Sequence, residues 1–199
     1  MKSLVEINQQ GLDNWGSNSR HFSDKGVPGV HNYIPFYDEK FSPYRSHANV
    51  LEIGTSCGGS LWMYAQYFQS YKIIGIDMLA GWPDGPLPYS ASLENDPNIS
   101  LFWNTDCHSV EFWNSIENNS LDIIIDDGDH SVQGQLDTFD LVWPKLNTNG
   151  VYCIEDVTEG GHKDFVIDSL KNKNLNIVID TYYGNSRNDD IIIWITHAR

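Results

Sequence analysis

Leu121-Asp122-Ile123-Ile124-Ile125-Asp126-Asp127-Gly128-Asp129-His130 is the stretch on which the reading of this chain turns. Its apolar part, Leu121 with Ile123 to Ile125, is too short for a buried helix and rich in β-branching. It predicts a strand covered on both faces, as in a parallel sheet. The strand runs directly into three carboxylates and an imidazole. In open α/β sheets the carboxyl ends of the strands are where ligands bind. Packing gives little reason to concentrate charge there, and the competing reading is a plain Asp-Gly surface turn.

The same grammar repeats on either side. Asn49 to Ile53 predicts a first strand, followed by the turn Gly54-Thr55-Ser56-Cys57-Gly58-Gly59-Ser60 and a helix with Leu61, Tyr64, Ala65 and Phe68 on one face. Lys72 to Ile76 predicts a second strand ending at Asp77, where a carboxylate is placed to accept hydrogen bonds from ribose hydroxyls. Asn98 to Trp103 predicts a third, ending at Asn104-Thr105-Asp106, with a helix over 109–116. Beyond the opening stretch, Val132, Leu136, Phe139, Trp143 and Leu146 trace a helix face that Pro144 ends or kinks near Trp143. Asn149-Gly150 predicts a turn into a fifth strand, Val151 to Ile154, which delivers Glu155 and Asp156. A helix is expected over 161–172. Two strands, 176–183 and 190–196, are joined by the hairpin signal Gly184-Asn185-Ser186-Arg187-Asn188. Five β–α alternations closed by an antiparallel pair predict an α/β three-layer sandwich.

The chain has 199 residues, enough for one domain with a full core. It reads as a single domain over 1–199, with residues 1–45 wrapping a Rossmann-like core of 46–199. Trp15 and Phe22 anchor the polar start. Tyr33, Phe36, Tyr37 and Phe41 fall at helical spacing near 32–42. That helix either packs across the sheet or sets His31, Tyr33 and Tyr37 at the edge of a pocket. The net charge of −15, from 12 basic and 27 acidic residues, argues against nucleic acid and anionic membrane surfaces as partners. No apolar run is long enough to span a bilayer, and no signal peptide is recognised. Cys57, Cys107 and Cys153 are too few and too odd in number for a disulfide framework, so a reducing, cytoplasmic setting is expected. Residues 79–98, rich in Gly and Pro, predict a long loop of functional type. A lid role would have Trp82 and Tyr89 stack on an acceptor.

A dinucleotide fingerprint G-x-G-x-x-G would need a glycine where Ser56 stands between Gly54 and Gly59. The acidic Glu52 just before the turn suits a cationic ligand better than phosphates. At this point VLEIGTSCGGS, IIGIDM and NTDC resemble the first motifs of the class I S-adenosylmethionine-dependent methyltransferases. The resemblance implies a mostly parallel seven-stranded sheet with an antiparallel C-terminal hairpin, and S-adenosylmethionine as cofactor. By the same resemblance Glu52 and Gly54 line its methionine part, Asp77 holds the ribose and Asp106 lies on the adenine side. Thr55, Ser60, Met78 and Asp126 complete the expected cofactor site.

DKGVPGVHNYIPFY, IIIDDGDH and CIEDV together resemble the metal-dependent sugar O-methyltransferases of the macrolide type. That resemblance implies Mg²⁺ (or Mn²⁺) on Asp127, Glu155 and Asp156, and His130 as base beside Asp127. The implied acceptor is a sugar hydroxyl on a glycan or glycoconjugate. Asp129 stands where such enzymes commonly carry Ser, and this chain is much shorter than they are; a homo-oligomer is counted among the expected partners. The residues themselves point the same way. Adjacent fourth and fifth strands would bring Asp127 near Glu155 and Asp156, and bare carboxylates raise one another's pKa until a cation relieves them. All-oxygen ligands favour Mg²⁺, Mn²⁺ or Ca²⁺ over zinc. The competing reading is helix N-caps, at Asp129 or Ser131. An aliphatic hydroxyl must lose its proton before it attacks a sulfonium methyl, and a metal with a nearby imidazole achieves this. His108 is a weaker base candidate. Two other functions stay open: a catechol-type O-methyltransferase, and a cofactor-binding protein without catalysis.

Overall fold

The computed structural model describes residues 1–17, 20–184 and 187–198. Seven strands form one sheet: β1 (Ala48–Ile53), β2 (Tyr71–Ile76), β3 (Ile99–Phe102), β4 (Leu121–Asp126), β5 (Leu146–Ile154), β6 (Ile177–Tyr183) and β7 (Ile191–His197). Their order is β3-β2-β1-β4-β5-β7-β6, parallel through β5, with β7 antiparallel to both neighbours. The α/β sandwich and its closing hairpin are as expected. Asn185 and Ser186 of the expected hairpin turn lie outside the described residues.

Period-two alternation divides the core into two layers. Val50, Ile123, Ile125, Val151 and Cys153 pack on one face beneath α1 (Leu4–Trp15), α2 (Ile34–Phe41) and α3 (Gly59–Tyr67). Leu51, Ile53, Ile124, Tyr152 and Ile154 pack on the other against α5 (Val110–Asn114), α6 (Val132–Val142) and α7 (Gly161–Lys171). As Pro144 implies, α6 stops at Val142 and a 3₁₀ turn, Trp143–Lys145, follows.

Three details differ from the sequence reading. The polar start contains a helix, α1, closed by a capping box between Ser3 and Glu6. Strand β5 begins at Leu146, so Asn149 and Gly150 lie within it rather than in a turn. A register shift takes up the extra residues between Leu121↔Leu146 and Ile123↔Val151, and the Asn147 amide donates to Asp122 there. The 79–98 segment carries a short helix, α4 (Ser90–Glu94). Tyr89 is buried, its hydroxyl donating to the Cys57 carbonyl at 3.1 Å, and its ring packs on Trp15. Trp82 packs edge-on against Trp103 and donates to Glu94 at 2.8 Å. Both rings are committed to packing within the chain rather than presented to an acceptor. All three cysteines are free and buried. Among the described residues no helix is long and apolar enough to cross a membrane.

Candidate active site

A cavity of about 710 Å³ opens at the carboxyl ends of the parallel strands, the size of a small-molecule site. Gly54, Ser56, Asp77, Met78, Thr105 and Asp106 form one side. Asp127, Gly128, Asp129, His130, Glu155 and Asp156 form the other, with Asp24, Lys25 and His31 from the N-terminal segment. Among the described residues seven carboxylates and one lysine therefore line it: Asp24, Asp77, Asp106, Asp127, Asp129, Glu155 and Asp156 against Lys25.

On the first side, Gly54 takes φ +82°, a left-handed conformation that glycine adopts without a Cβ penalty. A Cβ there would overlap the Asp127 carbonyl, so the glycine turn and the acidic loop are in backbone contact. Asp77 lies one residue past β2 and accepts from the Ser56 N–H at 2.7 Å and the Leu79 N–H at 2.9 Å. Met78 is 70% exposed and Asp106 is exposed at the rim, where its carboxylate accepts from the His108 N–H at 2.8 Å.

Four expected cofactor residues lie beneath the cavity instead of on its wall. Glu52 is fully buried and accepts from the Ser60 hydroxyl at 2.5 Å. Thr55 and Ser60 are buried with it, and Asp126 accepts from the Tyr152 hydroxyl at 3.0 Å. Burial pushes both Glu52 and Asp126 up to about 7.

On the acidic side Asp127, His130 and Asp156 converge, each offering a ligand atom within 4.8 Å of the others. His130 Nε2 lies 3.3 Å from Asp127 Oδ1, and Nδ1 lies 3.8 Å from Asp156 Oδ2. The hydrogen bond to Asp127, helped by the charges of Asp127 and Asp156, pushes His130 up to about 9 against the pull of burial. Asp156 sits at φ +53° and accepts from the Tyr33 hydroxyl at 2.8 Å. Burial and the Asp127 charge raise its carboxyl. Burial would raise Asp127 too, but Lys25 and His130 hold it below the ordinary range.

Glu155, expected among the metal ligands, lines the cavity but stands outside the Asp127–His130–Asp156 cluster. Its carboxylate accepts from the Tyr37 hydroxyl and from Lys25 Nζ, both at 2.5 Å. Burial drives it upward. Tyr33 and Tyr37 thus both pack in the core and donate to strand-tip carboxylates. His31 lines the cavity, its Nδ1 3.3 Å from Asp190. Asp129 accepts from the Ser131 N–H at 2.9 Å, and Ser131 caps α6, so the N-cap expectation holds at Ser131. His108 Nε2 lies 3.3 Å from both the Gly134 carbonyl and the Thr138 hydroxyl, tying that ring to α6. Asp24, Lys25, Ser56 and Thr105 are polar cavity residues that sequence reasoning did not assign to the site. Lys25 stands in a short polar stretch, Ser23-Asp24-Lys25-Gly26, that reads as solvated loop.

A parallel sheet of this order, with an antiparallel seventh strand inserted at one end and a glycine turn and acidic strand tips around one cavity, defines a Rossmann-like methyltransferase fold. Residues 51–157, more than half of the chain, match the model of a family described as a methyltransferase domain, and the chain belongs to that family. It is 29% identical over 147 residues to the 8-demethyl-8-alpha-L-rhamnosyl tetracenomycin-C 2'-O-methyltransferase of Streptomyces olivaceus, covering 69% of this chain and 36% of that protein. It is 30% identical to the mycinamicin VI 2''-O-methyltransferase of Micromonospora griseorubida, covering 70% and 34%. The chain thus spans about a third of the length of these curated relatives. Among solved structures it resembles the MycE methyltransferase of mycinamycin biosynthesis, in complex with Mg and SAH. The TM-score is 0.73 at 23% identity, over 100% of this chain and 55% of that one.

Proposed function

We propose that this chain is an S-adenosylmethionine-dependent, divalent-metal-assisted O-methyltransferase acting on a sugar hydroxyl of a glycan or glycoconjugate. The observation that carries the reading is one cavity in which the Gly54, Asp77 and Asp106 side meets the Asp127, His130 and Asp156 cluster. The named activities of the sugar O-methyltransferase relatives support the acceptor class, and the Mg and SAH of the MycE complex support the cofactors. The reading takes residues 1–199 as a single catalytic domain in the cytoplasm, a setting that three free thiols suit.

The residues fit both groups. An excess of carboxylates suits a sulfonium-bearing cofactor and a hard divalent ion. Asp77 would hold the ribose hydroxyls, each of its oxygens keeping a lone pair beyond its backbone bond. Met78 and Asp106 would flank the adenine. Glu52, Thr55, Ser60 and Asp126 would hold the turn in shape from below. Asp127 and Asp156 would face the ion, and Glu155, joined to Asp127 through Lys25 on the cavity wall, would be the third carboxylate ligand. When bound, S-adenosylmethionine supplies the methyl group and a divalent ion supplies the charge that eases loss of the acceptor proton. His130 accepts that proton. Facing the Asp127 and Asp156 carboxylates it stays protonated to about 9, and further compensation of their charge would bring it toward the range where it works as a base.

The test is a panel of glycosides and catechols methylated with and without Mg²⁺. Turnover of glycosides that EDTA abolishes is expected, with His130→Ala slower by roughly 10²–10⁴-fold, the usual scale of general-base catalysis. Full activity after EDTA and dialysis would remove the metal. Preference for catechols would change the acceptor class. Binding of S-adenosylhomocysteine with no turnover on any acceptor would leave a cofactor-binding protein.

A further inference from the structure

Among the described residues Lys25 is the one lysine or arginine of the cavity wall, and it is only 4% exposed. Its ammonium lies 2.5 Å from Glu155 Oε2, 2.7 Å from Asp127 Oδ2 and 3.7 Å from Glu52 Oε1. Those carboxylates come from three adjacent strand ends, β5, β4 and β1. The backbone holds Lys25 in place: its carbonyl accepts from the Tyr33 N–H at 2.8 Å, and its N–H donates to Ser23 Oγ at 3.3 Å. Asp127 is shared between two groups. One oxygen faces Lys25 and the other faces His130, on the side where Asp156 also points.

We propose that Lys25 is a positioning residue that acts as a resident monovalent cation, sharing Asp127 and Glu155 with the divalent ion and keeping that ion loosely held. The inference rests on the divalent-site reading above. A fixed like charge beside an ion weakens its binding, and each carboxylate oxygen held by the ammonium is withheld from the ion. An ammonium of fixed charge cannot be displaced from the protein, so the competition is permanent. It sets the affinity of the site rather than its geometry alone.

The experiment is calorimetry with Mn²⁺ alone, without cofactor or acceptor, on the wild type, Lys25→Met and Lys25→Arg, with thermal melts alongside. Expected are one Mn²⁺ in the wild type, the same affinity within about threefold in Lys25→Arg, and at least tenfold tighter binding in Lys25→Met. A role confined to stability would lower the melting temperature of Lys25→Met and leave its Mn²⁺ affinity unchanged or weaker, which overturns the inference. Where Lys25→Met does not fold, Lys25→Met/Glu52→Gln removes one buried carboxylate together with the ammonium. It carries the same expectation and the same refutation. A wild type that binds Mn²⁺, with unchanged affinity in the folded Met variants, defeats this inference alone. A wild type that binds no Mn²⁺ defeats the divalent-site reading and this inference with it.

Discussion

Gly54→Ala tests whether the glycine turn and the acidic loop form one rigid unit. Gly54 sits at φ +82°, and a Cβ there would stand 2.6 Å from the Asp127 carbonyl carbon and overlap its oxygen. Ordinary van der Waals contact begins at 3.4 Å, so the Asp127 peptide must retreat by about 0.8 Å or more. A backbone neighbour has no rotamer to swing aside. Over-packing of this kind costs roughly 1–3 kcal/mol, and a Cβ in left-handed backbone adds roughly 1–2 kcal/mol. The sum is about 2–5 kcal/mol, which at a urea slope of about 2 kcal/mol per molar lowers the midpoint by roughly 1–2.5 M. Gly29 supplies the control. Its φ is +81°, and nothing lies within 4 Å of a Cβ built there. Gly29→Ala should therefore show the backbone cost alone, roughly 1–2 kcal/mol. The difference between the two midpoints isolates the clash with Asp127, and Mn²⁺ affinity should fall only in Gly54→Ala. Equal midpoints for the two variants, with Mn²⁺ binding intact in both, would refute the coupling.

Three further expectations concern named contacts. Tyr33→Phe removes the hydroxyl that donates to Asp156 at 2.8 Å, a bond to a charged group, and should cost roughly 1.5–3 kcal/mol in urea unfolding. In the metal-free protein His130 should titrate by NMR near 9, and Asp127→Asn should bring it down toward the ordinary histidine range. Because that folded-state value lies above the unfolded one, the stability His130 contributes is complete below about 6.5 and is lost as pH rises through about 9. Ser3→Ala breaks the capping box of α1 and should cost about 1 kcal/mol, with the cavity residues unmoved in NMR spectra.

The fold was legible because each parallel strand carries a short apolar run that leads into polar residues, and the fifth β–α unit gives way to two strands in succession. The β5 start was not, because Asn149-Gly150 is a strong turn signal that the Asn147–Asp122 contact overrides. Helix α1 announced itself through the Ser3 and Glu6 capping box and through Leu4, Ile7, Leu12 and Trp15 at helical spacing, a signal diluted by the polar residues between them. In the loop at 79–98 the Gly and Pro residues marked irregular backbone, but they carry no information on where Trp82 and Tyr89 point. Those directions are set by aromatic partners distant in sequence, Trp15 and Trp103.

Strand parity explains which carboxylates reach the cavity and why Lys25 was hidden. Glu52, Ile125 and Cys153 stand in one row across β1, β4 and β5. Successive side chains alternate between faces, so Glu52 points into the layer under α3, where Ser60 and Lys25 meet it, and not upward at a ligand. Asp126 falls in the opposite row with Ile53 and Ile154, and Tyr152 covers it from the second layer. An acid that still belongs to a strand is thus committed to a layer. Asp77, Asp127 and Asp156 lie beyond their strands' last residues, where the cavity opens. Glu155 and Asp127 each lie two residues past the Cys153 and Ile125 row, on the side covered by residues 22–41, so one lysine from that segment meets both. Parity alone therefore places three acids around a common point on that face. What the sequence could not supply was the cation, because the partner of a convergence across three strands comes from a covering segment whose path only the folded chain defines.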